Sequence, residues 1–210
     1  MSGYRFLEVV GLRELLRWAY RVEVHGGEHI PATGGAVLAA NHESLADPFF
    51  LGVATRRPIH YMAKVELWRN PLVGRLLDWL GTFPVERGGG DSGALRYGIR
   101  LLEQGALLGI FPQGTARPHR RRPFLRGAAR LALATGAPLV PVCMVNTEKA
   151  LRPVRVKIGL PQILIRVAPA LQVEKQRVTL AAARDLTRRL EEAIATLREP
   201  YGAPAHAWLD

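Results

Sequence analysis

What most constrains the fold of this chain is a set of apolar runs with no alternation in them. Pro138–Val145 reads PLVPVCMV and Ala36–Ala40 reads AVLAA. A strand with one wet face alternates apolar and polar residues, so a continuous run of this length must be covered on both faces. Ile59–Ala63, Thr82–Val85 and Ala106–Phe111 read as further short strands. Helix signals lie between them: Phe49–Thr55 behind Pro48, Pro71–Leu80, a segment capped by Asp91 or Ser92 and running to Gln104, and Gly127–Thr135. Val22–Ile30 reads as a strand and turn closed by Pro31 and Gly34-Gly35. Val154–Ile158 and Ile163–Val167 look like a closing antiparallel pair. Thr179–Leu197 reads as a final helix with Leu180, Leu186, Leu190 and Leu197 on one face. Strands alternating with helices predict a single-domain, layered α/β fold with a mainly parallel central sheet flanked by helices.

Two segments follow from this reading. Residues 1–21 hold an amphipathic helix over 4–20, in which Phe6, Leu7, Val10, Leu15, Trp18 and Tyr20 alternate with Arg5, Arg13, Arg17 and Arg21. That mixture suits a helix lying at a membrane interface, and equally one packed on its own domain. Residues 22–210 form the main domain, with no internal repeat and no linker that would split it. Met1–Tyr20 lacks the uninterrupted apolar core of a signal peptide, and no run is long enough to span a bilayer. Cys143, the only cysteine, has no disulfide partner and lies in an apolar run, so a buried inert thiol is expected.

The net charge is +11, carried by 25 arginines and only 4 lysines. A guanidinium fork matches phosphate oxygens better than an ammonium does, and a basic protein meets nucleic acid or anionic lipid. There is no zinc spacing, no aromatic RNA-binding stretch and no helix-turn-helix, which disfavours nucleic acid. His25, His29, His60, His119 and His206 show no ligand spacing with Asp, Glu or Cys, so no metal is expected.

The strand Ala36–Ala40 leads through Asn41 into His42, and Asp47 follows five residues later, just before Pro48. Proline suits a first helical turn, which places histidine and aspartate on opposite sides of a strand-to-helix turn. An aspartate on one ring nitrogen fixes the tautomer and leaves the other nitrogen as a general base. The plainer alternative is an N-cap aspartate beside a satisfied core histidine. Three more stretches follow strands in the same way: Lys64, Arg87, and the run Gln113-Gly114-Thr115 with Arg117. Chemistry in α/β sheets gathers outside the carboxyl ends of strands. A glycine turn there can offer backbone N–H groups to an anion, and Arg87 supplies a fixed positive charge. A base and an anion clamp without an obvious nucleophile suggest direct transfer to a phosphate-bearing alcohol.

These residues resemble four motifs of the glycerolipid acyltransferases, the family typified by 1-acylglycerol-3-phosphate acyltransferase, in order over about residues 22 to 146. Asn41-His42-Glu43-Ser44-Leu45-Ala46-Asp47 is similar to the first block, and Gly81-Thr82-Phe83-Pro84-Val85-Glu86-Arg87 to the second. Phe111-Pro112-Gln113-Gly114-Thr115 is similar to the third and Val140-Pro141-Val142 to the fourth. The resemblance implies that His42 deprotonates an acceptor hydroxyl as it attacks an acyl thioester, with Asp47 orienting the ring. Arg87 would hold the acceptor phosphate, with Gln113, Gly114, Thr115 and Arg117 in the binding site and Lys64 either a helper or a solvated strand-end lysine. Ser44 is not a nucleophile in the family, and its hydroxyl is expected to bond within the turn. The acyl donor would be acyl-CoA or acyl-carrier protein, with no other cofactor. The acceptor would be a lysophospholipid, most simply 1-acylglycerol-3-phosphate, and the enzyme would sit peripherally on the cytoplasmic face of the membrane.

Two departures from the pattern bear on the acceptor. Gln113 stands where the family usually has glutamate, and Ala116 where it usually has arginine, with Arg117 one position later. The basic run Arg117, Arg120, Arg121 and Arg122, with His119 between, is either a solvated loop or a site of phosphate capture. The alternatives are the same chemistry on another lysophospholipid or a glycosylated lipid, and an inactive lipid-binding protein. The apolar helix from Leu67 to Leu80 is a candidate wall for an acyl tunnel.

Overall fold

The computed structural model describes residues 11–86, 92–114, 123–151 and 160–201. Among them, seven strands form one sheet: β1 (Glu23–His25), β2 (Ala36–Ala40), β3 (Ile59–Lys64), β4 (Phe83–Val85), β5 (Leu107–Ile110), β6 (Leu139–Val145) and β7 (Leu164–Val167). Their order is β1-β7-β6-β2-β5-β3-β4, and every pairing is parallel except that of β6 with β7. The helices are α1 (Leu12–Ala19), α2 (Asp47–Val53), α3 (Pro71–Trp79), α4 (Ser92–Glu103), α5 (Gly127–Thr135) and α6 (Leu180–Arg198).

The continuous apolar runs have the predicted consequence. β2, β5 and β6 are buried at every position. Along β2 the side chains divide by the two-residue period of a strand. Val37 and Ala39 join a core with Ala128 and Leu131 of α5 and with Leu186 and Leu190 of α6. Ala36, Leu38 and Ala40 join a second core with Phe50 and Leu51 of α2, against which Leu16 of α1 also packs. The parallel strands β2, β3, β4, β5 and β6 therefore open their carboxyl ends on one rim of the sheet. At the opposite rim Arg57 donates to the carbonyls of Pro31, Gly34 and Gly105 at 2.6, 2.7 and 2.6 Å, and burial lowers its pKa.

Two expectations are corrected. Ile163–Val167 does not close a pair with 154–158: β7 has β6 on one edge and β1 on the other, so both ladders are occupied. Residues 154–158 lie outside the described residues. Leu180 is exposed, whereas Leu186 and Leu190 are buried. Six residues at 100° each put Leu180 well off the face its successors share. Of the predicted helix over 4–20, Leu12–Ala19 is helical, and residues 1–10 lie outside the described residues. Tyr20 just beyond α1 meets Phe50 edge-on at 5.1 Å and donates to the Ala150 carbonyl at 3.1 Å, while Leu15 and Trp18 face solvent.

Candidate active site

The site is built where β2 ends. Ala40 pairs with Val142, and past it the Asn41 side chain takes over the ladder: Nδ2 donates to the Met144 carbonyl at 2.8 Å, and Oδ1 accepts the Met144 N–H at 2.7 Å. One fully buried amide thus reproduces a backbone rung and releases the main chain to turn.

The turn is organised by Asp47, the first residue of α2, with Pro48 behind it in the first helical turn. Asp47 Oδ2 accepts from His42 Nδ1 at 2.7 Å, from Glu43 N at 2.7 Å and from Ser44 N at 2.9 Å. An ionised carboxylate is acceptor-only, so Nδ1 carries the proton here and Nε2 holds the lone pair. The Ser44 hydroxyl accepts the Ala46 N–H at 3.2 Å, the local bond expected of it, and is engaged within the turn.

The ring is fixed from its face as well. His42 stacks on Phe111 with centroids 4.2 Å apart, Phe111 lies parallel to Tyr61 at 6.2 Å, and the Tyr61 hydroxyl donates to the Pro48 carbonyl at 2.6 Å. The stack closes a circuit back to the helix that carries Asp47. It depends on Gly109, which is in register with Tyr61: a Cβ there would lie 2.5 Å from the tyrosine ring. With this support the His42 side chain is still 16% exposed, so the ring is held at Nδ1 and on one face and is open at the rim.

Gln113 is buried, and its side-chain oxygen accepts the His42 backbone N–H, so it helps fix the histidine's main chain. Gly114 adopts φ 70°, which favours glycine, and its N–H closes the turn on the Phe111 carbonyl at 2.9 Å. That amide therefore does not serve as the anion donor expected of the glycine turn. The N–H groups of His42, Glu43, Ser44 and Ala46 also have internal acceptors, so oxyanion donors must come from other groups.

Lys64 is exposed at the end of β3, in register with Val85 of β4, two residues before Arg87. It shares the rim with His42 but lies two strands away in the sheet. Arg87, Thr115, Arg117 and the basic run to Arg122 lie outside the described residues. A cavity of about 580 Å³ is lined by Val65, Glu66, Trp68, Arg69 and Glu86, beyond the ends of β3 and β4. Trp68 and Arg69 of the proposed Leu67–Leu80 wall reach it, whereas Leu72 and Leu76 face solvent.

Two groups below the turn have displaced titrations. Burial pushes Glu43 up to about 7, Arg198 opposing the shift and Glu148 adding to it. Burial also pushes the Cys143 thiol up to about 12, the inert cysteine expected. Asn41, Phe111, Tyr61 and Arg198 had no functional role on sequence grounds. An asparagine directly behind a buried strand was the one local signal; Arg198 lies 155 residues from Glu43 and has none.

A strand-end histidine locked to a helix-start aspartate on a parallel α/β sheet has the geometry a general base needs, and the family model described as Acyltransferase matches residues 21–145. The chain belongs to the acyltransferase family. Its relatives include the 1-acyl-sn-glycerol-3-phosphate acyltransferase of Bacillus subtilis (strain 168), 39% identical over 131 residues, which span 62% of this chain and 65% of that protein. A protein of the same name from Borreliella burgdorferi is 29% identical over 181 residues, 81% of this chain and 72% of its own length. The fold is shared with the crystal structure of the 1-acyl-sn-glycerophosphate (LPA) acyltransferase PlsC from Thermotoga maritima, at TM-score 0.68 and 20% identity, covering 96% of this chain and 95% of that one.

Proposed function

We propose that this acyltransferase moves a fatty acyl group from acyl-CoA or acyl-carrier protein to the free hydroxyl of 1-acylglycerol-3-phosphate, giving phosphatidic acid. The observation that carries the chemistry is the 2.7 Å bond from His42 Nδ1 to Asp47, which leaves Nε2 as acceptor at an open rim. Nε2 takes the proton of the acceptor hydroxyl as its oxygen bonds to the thioester carbonyl carbon. The tetrahedral intermediate collapses, the C–S bond breaks, and the imidazolium returns the proton to the departing thiolate. One ester and one thiol result, with no acyl-enzyme. Asp47 stabilises the imidazolium and remains ionised throughout.

The names of the Bacillus and Borreliella relatives support lysophosphatidic acid as the acceptor. Arg87, two residues past β4, is the proposed phosphate clamp, with Lys64 on the adjoining strand and Arg117, Thr115 and the basic run beyond β5 as further cations and donors. Among the described residues no helix is long and apolar enough to cross a membrane. A peripheral attachment to the cytoplasmic membrane face, where thioester donors reside, fits α1, whose Leu15, Trp18 and Arg17 are exposed together. Ala116, standing where the family usually has arginine, favours a second reading, the same chemistry on another lysophospholipid or a glycosylated lipid.

The test is radiolabelled acyl transfer by the purified protein on lysophosphatidic acid beside neutral and glycosylated acceptors. Product from lysophosphatidic acid that disappears in His42→Ala supports the proposal. Product from another acceptor alone replaces the substrate. Lipid binding without any transfer means an inactive binding protein.

A further inference from the structure

We infer that Arg198, in the last turn of α6, is a positioning residue for His42: with Glu43 and Glu148 it forms a charge clamp that fastens the catalytic turn to the C-terminal helix. The inference rests on reading His42 as the general base, and it concerns a buried cluster that the transfer step itself does not use.

Glu43 is the residue immediately after His42. Its backbone N–H is held by Asp47, and its side chain is buried, with Oε1 accepting from Arg198 Nη1. The other end of this contact is also braced. Arg166 of β7 donates to the Leu197 carbonyl at 2.6 Å and lies over the Tyr201 ring at 5.6 Å, so one arginine holds the chain on both sides of Arg198.

A buried pair of this kind is a poor source of stability, because desolvation of both charges offsets their attraction. It is a good source of position, because each partner has one low-energy place to be. Glu148, in the 3-10 turn (Thr147–Lys149) that follows β6, makes the cluster sensitive to protons. Glu43 is paired with the Arg198 guanidinium, and Glu148 brings a second carboxyl against Glu43. Glu43 Oε2 and Glu148 Oε2 are both buried without a hydrogen-bond donor among the described residues. A single proton shared between the carboxyls supplies that donor, and burial together with Glu148 accordingly holds Glu43 up to about 7.

Among the described residues, charged or titratable groups reach the neighbourhood of Glu43 from several elements. Arg198 comes from α6, Glu148 from the turn after β6, the un-ionised Cys143 thiol from β6, and His42 and Asp47 from its own turn; Arg166 of β7 acts on Cys143. When the shared proton leaves, a second negative charge appears one residue from the base. The clamp tightens on Arg198, and the imidazolium at His42 is favoured.

The imidazole signal of His42 is followed by NMR from about pH 5 to about pH 9, assigned by its absence in His42→Ala, with acyl-transfer kinetics measured on the same samples. The parent is expected to show a second inflection from Glu43, which Glu43→Gln removes. Arg198→Gln moves it to higher pH, since Arg198 is what holds Glu43 down, and Arg198→Lys restores it. Arg198→Gln also lowers kcat about tenfold or more, with KM for the acyl donor unchanged. Identical His42 titrations in the parent, Glu43→Gln and Arg198→Gln overturn the inference. If Arg198→Gln does not fold, the near-isosteric Glu43→Gln decides alone. A parent that transfers acyl groups to no acceptor defeats the proposed function, while the His42 titration still reports on the clamp.

Discussion

Asp47→Asn is the most discriminating substitution, because it keeps the shape of the side chain and removes only its charge. Oδ2 accepts three donors, and Oδ1 is buried with no donor among the described residues. If the asparagine oxygen takes the Oδ2 place, three charge-assisted bonds become neutral ones and the new NH₂ is buried at the Oδ1 place. The bonds lose roughly 1 kcal/mol each and the unsatisfied donor costs about 1–3 kcal/mol, so destabilisation of about 4–6 kcal/mol is an upper bound before relaxation. If the amide flips, its NH₂ opposes the Glu43 and Ser44 N–H groups and donates to Nδ1. The ring proton then sits on Nε2, and the base cannot accept. Either arrangement removes the anion that stabilises the imidazolium, and kcat is expected to fall about 10³- to 10⁴-fold, as when a catalytic aspartate behind a histidine is amidated elsewhere. Denaturant unfolding of Asp47→Asn is measured beside steady-state acyl transfer. A folded variant with kcat within tenfold of the parent refutes the assignment of Asp47 as the group that orients the base.

Asn41→Ala removes both bonds to Met144 and leaves a buried N–H and C=O unpaired, so a loss of about 2–4 kcal/mol is expected by denaturant titration. Gly109→Ala drives a methyl into the Tyr61 ring and loosens the stack under His42; about 1–3 kcal/mol is lost, with a changed near-ultraviolet spectrum and a lower kcat. The native Cys143 thiol, pushed up to about 12, is expected to ignore a thiol reagent near pH 8 and to react once the chain is unfolded in guanidinium. Glu43 binds its proton more tightly folded than unfolded. Its contribution to stability is therefore fully present below its ordinary value of 4.5 and declines until about pH 7, and Glu43→Gln should flatten that part of the stability profile.

Much of this architecture was legible because burial on both faces leaves a mark that short windows preserve. The runs at Ala36–Ala40 and Pro138–Val145 became β2 and β6 because their residues had no other low-energy place. The His42–Asp47 contact was legible for a related reason: both partners lie within one turn, and Pro48 fixes where the helix starts. Strand partners were not. Nothing in ILIRV says that it lies between β6 and β1 instead of beside 154–158, because a ladder is made by backbone groups that every residue carries.

The same limit bears on Gln113 and Gly114 in the third motif. Gln113 and Gly114 follow a strand end, as a ligand-binding loop does, yet a loop there must also close on itself and support its neighbours. The glutamine oxygen meets the His42 N–H and the glycine N–H meets Phe111, so both groups help to build the mount of His42. This bears on the departure from the family pattern. A residue that binds acceptor phosphate is constrained by charge, whereas one that accepts a backbone N–H is constrained by length and by having an oxygen in place. Glutamine meets the second requirement as well as glutamate does, and it avoids burying another carboxylate beside Asp47 and Glu43. Gln113 is therefore compatible with full activity at His42.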